Sequence, residues 1–127
     1  MERRPQTVAI VEDDPSVRRS IQRLLNAHGF AAEVFPSAEA FLDRDPDVRV
    51  ACVVLDIHLP GMSGLELRSR LTTADPTLPV IFVTAIDDDA VKTAAIQMGC
   101  AAYLRKPFAP ELLITAVTDA LARVLSD

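Results

Sequence analysis

The chain has 127 residues, half of them hydrophobic, which suits one packed domain and is too short for two with full cores. Its charged fraction of 24% excludes a disordered tail, and apolar runs such as Val50–Leu55 fall far short of the roughly twenty residues that span a bilayer. A formal net charge of −5 argues against direct contact with nucleic acid, whose phosphates demand a basic face.

Met1-Glu2-Arg3-Arg4-Pro5 does not lead into an apolar signal stretch, so no membrane association is expected and the expected compartment is the cytoplasm. Cys52 and Cys100 open two apolar segments and read as small buried hydrophobes, since a metal site wants closer spacing or histidine company.

Strand and helix patterns alternate five times. Val8–Val11 is a short β-branched run, followed by Val17, Ile21, Leu24 and Leu25 at helical spacing. Asp14-Pro15 before them is an N-cap with proline at the first helical position, where a missing N–H costs nothing. His28 falls at the end of this helix and Gly29 where it should stop. Ala31–Phe35 predicts a second strand, and Ala38, Phe41 and Leu42 a short second helix. Val50–Leu55 is continuously apolar, as a central strand covered on both faces must be.

Leu65, Leu67 and Leu71 mark a third helix, with Ser63 and Glu66 in capping-box spacing. Pro79–Val83 predicts the fourth strand. Val91, Ala94, Ala95 and Met98 predict a fourth helix stopped by Gly99, with Asp87 as its cap and Asp88 and Asp89 in its first turn. Ala101–Leu104 predicts the fifth strand. Leu112, Leu113, Ala116, Val117, Ala120, Leu121 and Val124 give the last helix a broad apolar face.

Such alternation predicts one α/β domain over residues 1–127, a flavodoxin-like (βα)5 doubly wound parallel sheet of strand order 2-1-3-4-5. Ligands in such sheets sit past the carboxyl ends of the strands, beside the switch point between strands 1 and 3. The polar residues fall there. Strand 1 ends in Glu12-Asp13-Asp14, strand 3 in Asp56, strand 4 in Thr84 and strand 5 in Arg105-Lys106. Clustered carboxylates repel unless a cation or proton intervenes. Mg²⁺, a hard ion that takes oxygen ligands, fits Asp13 and Asp56 directly and Glu12 through water. Asp14 is better explained as the helix cap.

A carboxylate can also accept a phosphoryl group if the three equatorial oxygens are neutralised. Magnesium, Lys106 and the Thr84 hydroxyl suit the three. Ala85 is small enough to leave access to the phosphorus.

These residues resemble response-regulator receiver domains. Ile10-Val11-Glu12-Asp13-Asp14 is similar to their acidic motif, and Val54 to Gly64 to the phosphorylation strand and its loop. Val83-Thr84-Ala85 and Tyr103-Leu104-Arg105-Lys106-Pro107-Phe108 supply the rest. The resemblance implies transfer from a sensor histidine kinase, or a small phosphodonor, to Asp56. It implies Mg²⁺ on Asp13, Asp56 and the His58 backbone carbonyl, and a cis Lys106–Pro107 bond. Thr84 and Tyr103 would be the switch, altering the face of helix 4, strand 5 and helix 5. A phosphorylation-dependent homodimer is expected, and a domain that is not a turnover enzyme, although it catalyses its own phosphorylation and dephosphorylation. His58 and Ile86 would flank the phosphate and restrict the attacking water.

Two other chemistries fit less well. An aspartate-nucleophile phosphatase wants a second aspartate two residues on, where His58 stands. A nucleotide binder wants a glycine- or serine-rich loop after strand 1, where Glu12-Asp13-Asp14 would repel an anion. Ser37-Ala38-Glu39-Ala40-Phe41-Leu42, with Phe30 and Phe35, is similar to receivers of the nitrogen-fixation regulator type. That likeness implies control of a helix-turn-helix output domain, which these residues do not contain; a stand-alone receiver acting by protein contact is the alternative.

Overall fold

In the computed structural model, residues 6–126 are described. The expectations placed on residues 1–5 and on the Val124 side chain lie outside the described residues. Strands β1 (Thr7–Val11), β2 (Ala31–Phe35), β3 (Val50–Asp56), β4 (Val80–Thr84) and β5 (Ala102–Arg105) alternate with helices. These are α1 (Pro15–Ala27), α2 (Ala38–Leu42), α3 (Gly64–Ala74), α4 (Asp89–Gln97) and α5 (Pro110–Ser126). The strands form one parallel sheet in the order β2-β1-β3-β4-β5, as the alternation predicts.

Side-chain alternation along the central strands explains their unbroken apolarity. Val8, Ile10, Cys52, Val54, Ile81 and Val83 point to one face, where they meet Ile21 and Leu25 of α1 and Leu113 and Val117 of α5. Ala9, Val11, Val53, Leu55 and Phe82 point to the other, against Phe41 of α2, Leu67 and Leu71 of α3 and Ala95 of α4. Both faces are dry, and the polar work is left to the strand ends.

Local signals set the helix boundaries. Asp14 Oδ1 accepts hydrogen bonds from Ser16 N at 2.8 Å and Val17 N at 3.2 Å, capping α1 behind Pro15. Ser63 Oγ accepts from Glu66 N at 3.1 Å and caps α3. Gly29 and Gly99, at φ +83° and +85°, take the left-handed conformation that ends α1 and follows α4. His28 is the residue following α1, its Nδ1 3.0 Å from the Leu24 carbonyl.

Two expectations are corrected. The cap of α4 is Asp88 rather than Asp87: Asp88 Oδ1 accepts from Ala90 N and Val91 N at 3.0 and 3.1 Å. The Asp87 carboxylate turns instead to Arg105 Nη1 at 2.9 Å, an exposed pair. Leu112 does not belong to the buried face of α5; it is 54% exposed, whereas Leu113, Val117 and Ala120 at i, i+4 and i+7 are buried.

Phe41, fully buried and edge-on to Phe35 at 5.3 Å, locks α2 to β2. Phe41→Ala is expected to cost about 3–5 kcal/mol in urea unfolding, and Leu112→Ala less than about 0.5 kcal/mol.

Candidate functional site

Among the described residues, the buried polar or charged side chains are Glu12, Asp56 and Thr84. All three stand at the carboxyl edge of the sheet: Glu12 just past β1, Asp56 ending β3 and Thr84 ending β4. Burying two carboxylates side by side is unfavourable without a compensating charge. Lys106, reaching in just after β5, supplies it. Its ammonium donates to Glu12 Oε1 in a close ion pair and to Asp56 Oδ2 at 3.1 Å. Burial works against that charge, but the hydrogen bond to Glu12 and the negative charge of Asp56 outweigh it, and the Lys106 pKa is raised above the ordinary lysine value.

The remaining oxygens are oriented by backbone donors. Asp56 Oδ1 accepts from His58 N at 3.0 Å, and Glu12 Oε2 from Asp14 N at 3.2 Å. Asp13 is exposed, yet oxygens of Glu12, Asp13 and Asp56 lie within 4.8 Å of one another. An all-oxygen set of three carboxylates, neutralised only in part by one lysine, fits a hard divalent cation such as Mg²⁺. The imidazole of His58 is exposed and outside that cluster.

Thr84 is held by its own loop. Its Oγ1 accepts from Ile86 N at 3.1 Å, while its carbonyl accepts from Lys106 N at 2.7 Å. β4 and the turn carrying Lys106 are thereby joined at the site. Ala85 and Ile86 are exposed beyond it, Ile86 by 49%. Tyr103, on β5, is half-buried against the face that holds α3 and α4, with Lys92 Nζ 5.8 Å from its ring centroid. Burial first, then the charges of Asp87 and Asp88, push its phenol pKa up. Arg105 points away to Asp87. The Lys106–Pro107 peptide is cis. Cys52 is buried away from the site and its thiol is pushed up to about 12 by desolvation.

Three supporting residues escape a reading by motif chemistry. Arg18 Nη1 donates to the Glu12 carbonyl at 3.0 Å, tying α1 to the acidic turn. Gly64 lets α3 begin against the end of β3: an added Cβ would stand 2.3 Å from the Asp56 carbonyl oxygen. A glycine as the first residue of a capped helix is its only signal in the sequence. Glu39 reaches across from α2 to accept from Met62 N at 3.0 Å, in the loop after β3.

Residues 8–118 match the family model of the response regulator receiver domain. The chain belongs to that family. Receiver domains are signalling modules of two-component systems, partnered by sensor histidine kinases, and as a family generally bind Mg²⁺. This receiver is 39% identical over 116 residues to the transcriptional regulatory protein TdiR of Thauera aromatica, covering 91% of the chain and 51% of TdiR. It is 38% identical over 114 residues to FixJ of Rhizobium meliloti, covering 90% of the chain and 56% of FixJ. It therefore spans about half the length of these curated relatives. The solved structure FixJ-N is similar with a TM-score of 0.84 and 36% identity, covering 94% of the chain and 96% of that structure. The likeness to nitrogen-fixation regulators expected from Ser37–Leu42 is thus present across the receiver. Among the described residues no helix is long and apolar enough to cross a membrane.

Because the Lys106 pKa is raised on folding, its stabilisation is complete below pH 10.5 and is lost as pH rises through the folded value. The gap in urea midpoint between this receiver and Lys106→Gln should hold from neutral pH to that point and narrow only above it.

Proposed function

We propose that this receiver takes a phosphoryl group on Asp56 from the phosphohistidine of a sensor histidine kinase, or from a small phosphodonor such as acetyl phosphate. The observation that carries the reading is the Asp56 carboxylate itself. It is nearly buried, held at one oxygen by Lys106 and at the other by the His58 N–H, beside Glu12 and Asp13.

An Asp56 oxygen attacks phosphorus, the new P–O bond forms as the P–N bond of the phosphohistidine breaks, and the departing imidazole leaves with a proton. Asp13, Asp56 and the His58 carbonyl, with Glu12 through water, would hold Mg²⁺, which would supply positive charge to the phosphoryl oxygens. Lys106 serves a second oxygen and moves its charge from the carboxylates toward the phosphate. The Thr84 hydroxyl, now engaged with the Ile86 N–H, is one hydrogen bond away from serving the third. Exchange of that bond frees the loop after β4 and opens room into which Tyr103 turns. A shift from mostly inactive to mostly active takes about 5.5 kcal/mol of differential stabilisation, of which the bonds to Thr84 and Lys106 supply part.

The output face is that of α4, β5 and α5. α4 buries only Ala95, so little packing resists its movement, and Ile96 on α4, Met98 just after it and Leu112 on α5 are exposed large apolar residues. We assign to it a phosphorylation-dependent homodimer that controls a DNA-binding output domain, in line with the transcriptional regulators TdiR and FixJ. The receiver itself makes no nucleic acid contact, works in the cytoplasm and is not a turnover enzyme, apart from its own phosphorylation and dephosphorylation. His58 and Ile86 flank the phosphate and screen it from water.

Incubation with acetyl phosphate and Mg²⁺ should add one phosphoryl group by intact mass and should add none to Asp56→Asn. Undiminished labelling of that variant overturns the assignment. Ile86→Ser is expected to shorten the phosphorylated lifetime, followed by loss of the added mass after donor removal; an unchanged lifetime removes Ile86 from the screening role.

A further inference from the structure

The stretch Ser37–Leu42 lies on α2, off the phosphoryl chemistry, yet one of its side chains reaches the site's loop. Ser37 Oγ accepts from Ala40 N at 3.0 Å and fixes the first turn of α2, and buried Phe41 anchors the helix to the core. Glu39 is thereby presented from a rigid base. Its Oε2 accepts from Met62 N at 3.0 Å, across 23 residues of chain. The site for that oxygen is made by Gly61, at φ +73°, where an added Cβ would stand 2.4 Å from Glu39 Oε2. The Met62 hydrogen bond holds the Glu39 carboxyl below its usual range, so the clamp is ionised at neutral pH.

The segment this bond restrains runs from Ile57 to Ser63. At its start, His58 N donates to Asp56 Oδ1 at 3.0 Å. At its end, Gly64 N donates to the Ile57 carbonyl at 2.8 Å and α3 is capped by Ser63. Between those two anchors Leu59 and Met62 pack on the core, and the side-chain bond to Glu39 adds a polar tie from α2; His58 lies inside the segment so restrained.

We propose that Glu39 is a positioning residue: its carboxylate fixes the backbone path of the loop after β3 and so places the His58 carbonyl for Mg²⁺. The proposal rests on the phosphoacceptor reading for its purpose, but its test does not depend on it. An outer-shell contact that orients a ligand contributes through the ligand's placement, without touching the metal.

Three proteins decide it: the unaltered chain, Glu39→Ala and Glu39→Gln. Glutamine removes the charge but keeps an oxygen that can accept from the Met62 N–H; alanine removes both. Calorimetric titration with MgCl₂ should show about threefold or more weaker binding for Glu39→Ala, with Glu39→Gln close to the unaltered chain. In the metal-free ¹H–¹⁵N spectrum the Met62 amide proton should move upfield in Glu39→Ala. With acetyl phosphate, saturating Mg²⁺ should restore the labelling rate of Glu39→Ala.

Unchanged Mg²⁺ affinity in Glu39→Ala, even with a lower melting temperature, reduces the bond to a structural staple and overturns the proposal. Equal weakening in both variants assigns the effect to charge alone and overturns it too. If Glu39→Ala fails to fold by circular dichroism, Glu39→Gln decides through the Met62 amide: loss of its downfield position with unchanged Mg²⁺ affinity defeats the proposal. If the unaltered chain binds Mg²⁺ but takes no phosphoryl group, the phosphoacceptor reading fails, while the affinity comparison still judges Glu39.

Discussion

The ion pairs of Lys106 with Glu12 and Asp56 are the constraint on which the rest of the structure depends. Without a cation, two carboxylates at 1% and 6% exposure could not share the end of a sheet in their charged form. With one, the edge is polarised but not saturated. One Asp56 oxygen still looks to a backbone N–H, and the exposed Asp13 adds a third carboxylate that the lysine does not reach. The site is built short of positive charge, which is the condition for attracting a divalent ion. Every strand from β1 to β5 except the edge strand β2 ends at this arrangement, so the sheet's order is also the site's wiring.

The dry layers on either side of the sheet serve that edge. Each central strand sends alternate side chains to opposite clusters, leaving no polar compromise inside and confining the polar chemistry to where the strands stop. The α1 and α5 side is well filled. The α4 side is thinner, with Ala95 as that helix's buried residue.

Much of this was legible from the chain alone. Strand order followed from five alternations and the handedness of parallel crossovers, and Asp13, Asp56, Thr84 and Lys106 announced themselves by lying at strand ends. Three things were not legible. A triplet Asp87-Asp88-Asp89 offers three candidate caps; the backbone enters the helix after the second, and Asp87 pairs with Arg105 instead. The rotation of α5, which leaves Leu112 outside, depends on which stripe meets the sheet, and an almost wholly apolar helix face does not say. The supports from Arg18, Gly64 and Glu39 act through backbone groups, whose partners leave no trace in side-chain chemistry.

Tyr103 carries one further consequence. The chain contains no tryptophan and one tyrosine, and that residue sits half-buried on β5 between the site's turn and α4, beneath the Lys92 ammonium. The near-ultraviolet signal of this receiver is thus dominated by one phenol packed beside α4. The receiver carries its own optical probe, readable without a label, on the strand that leads into Lys106.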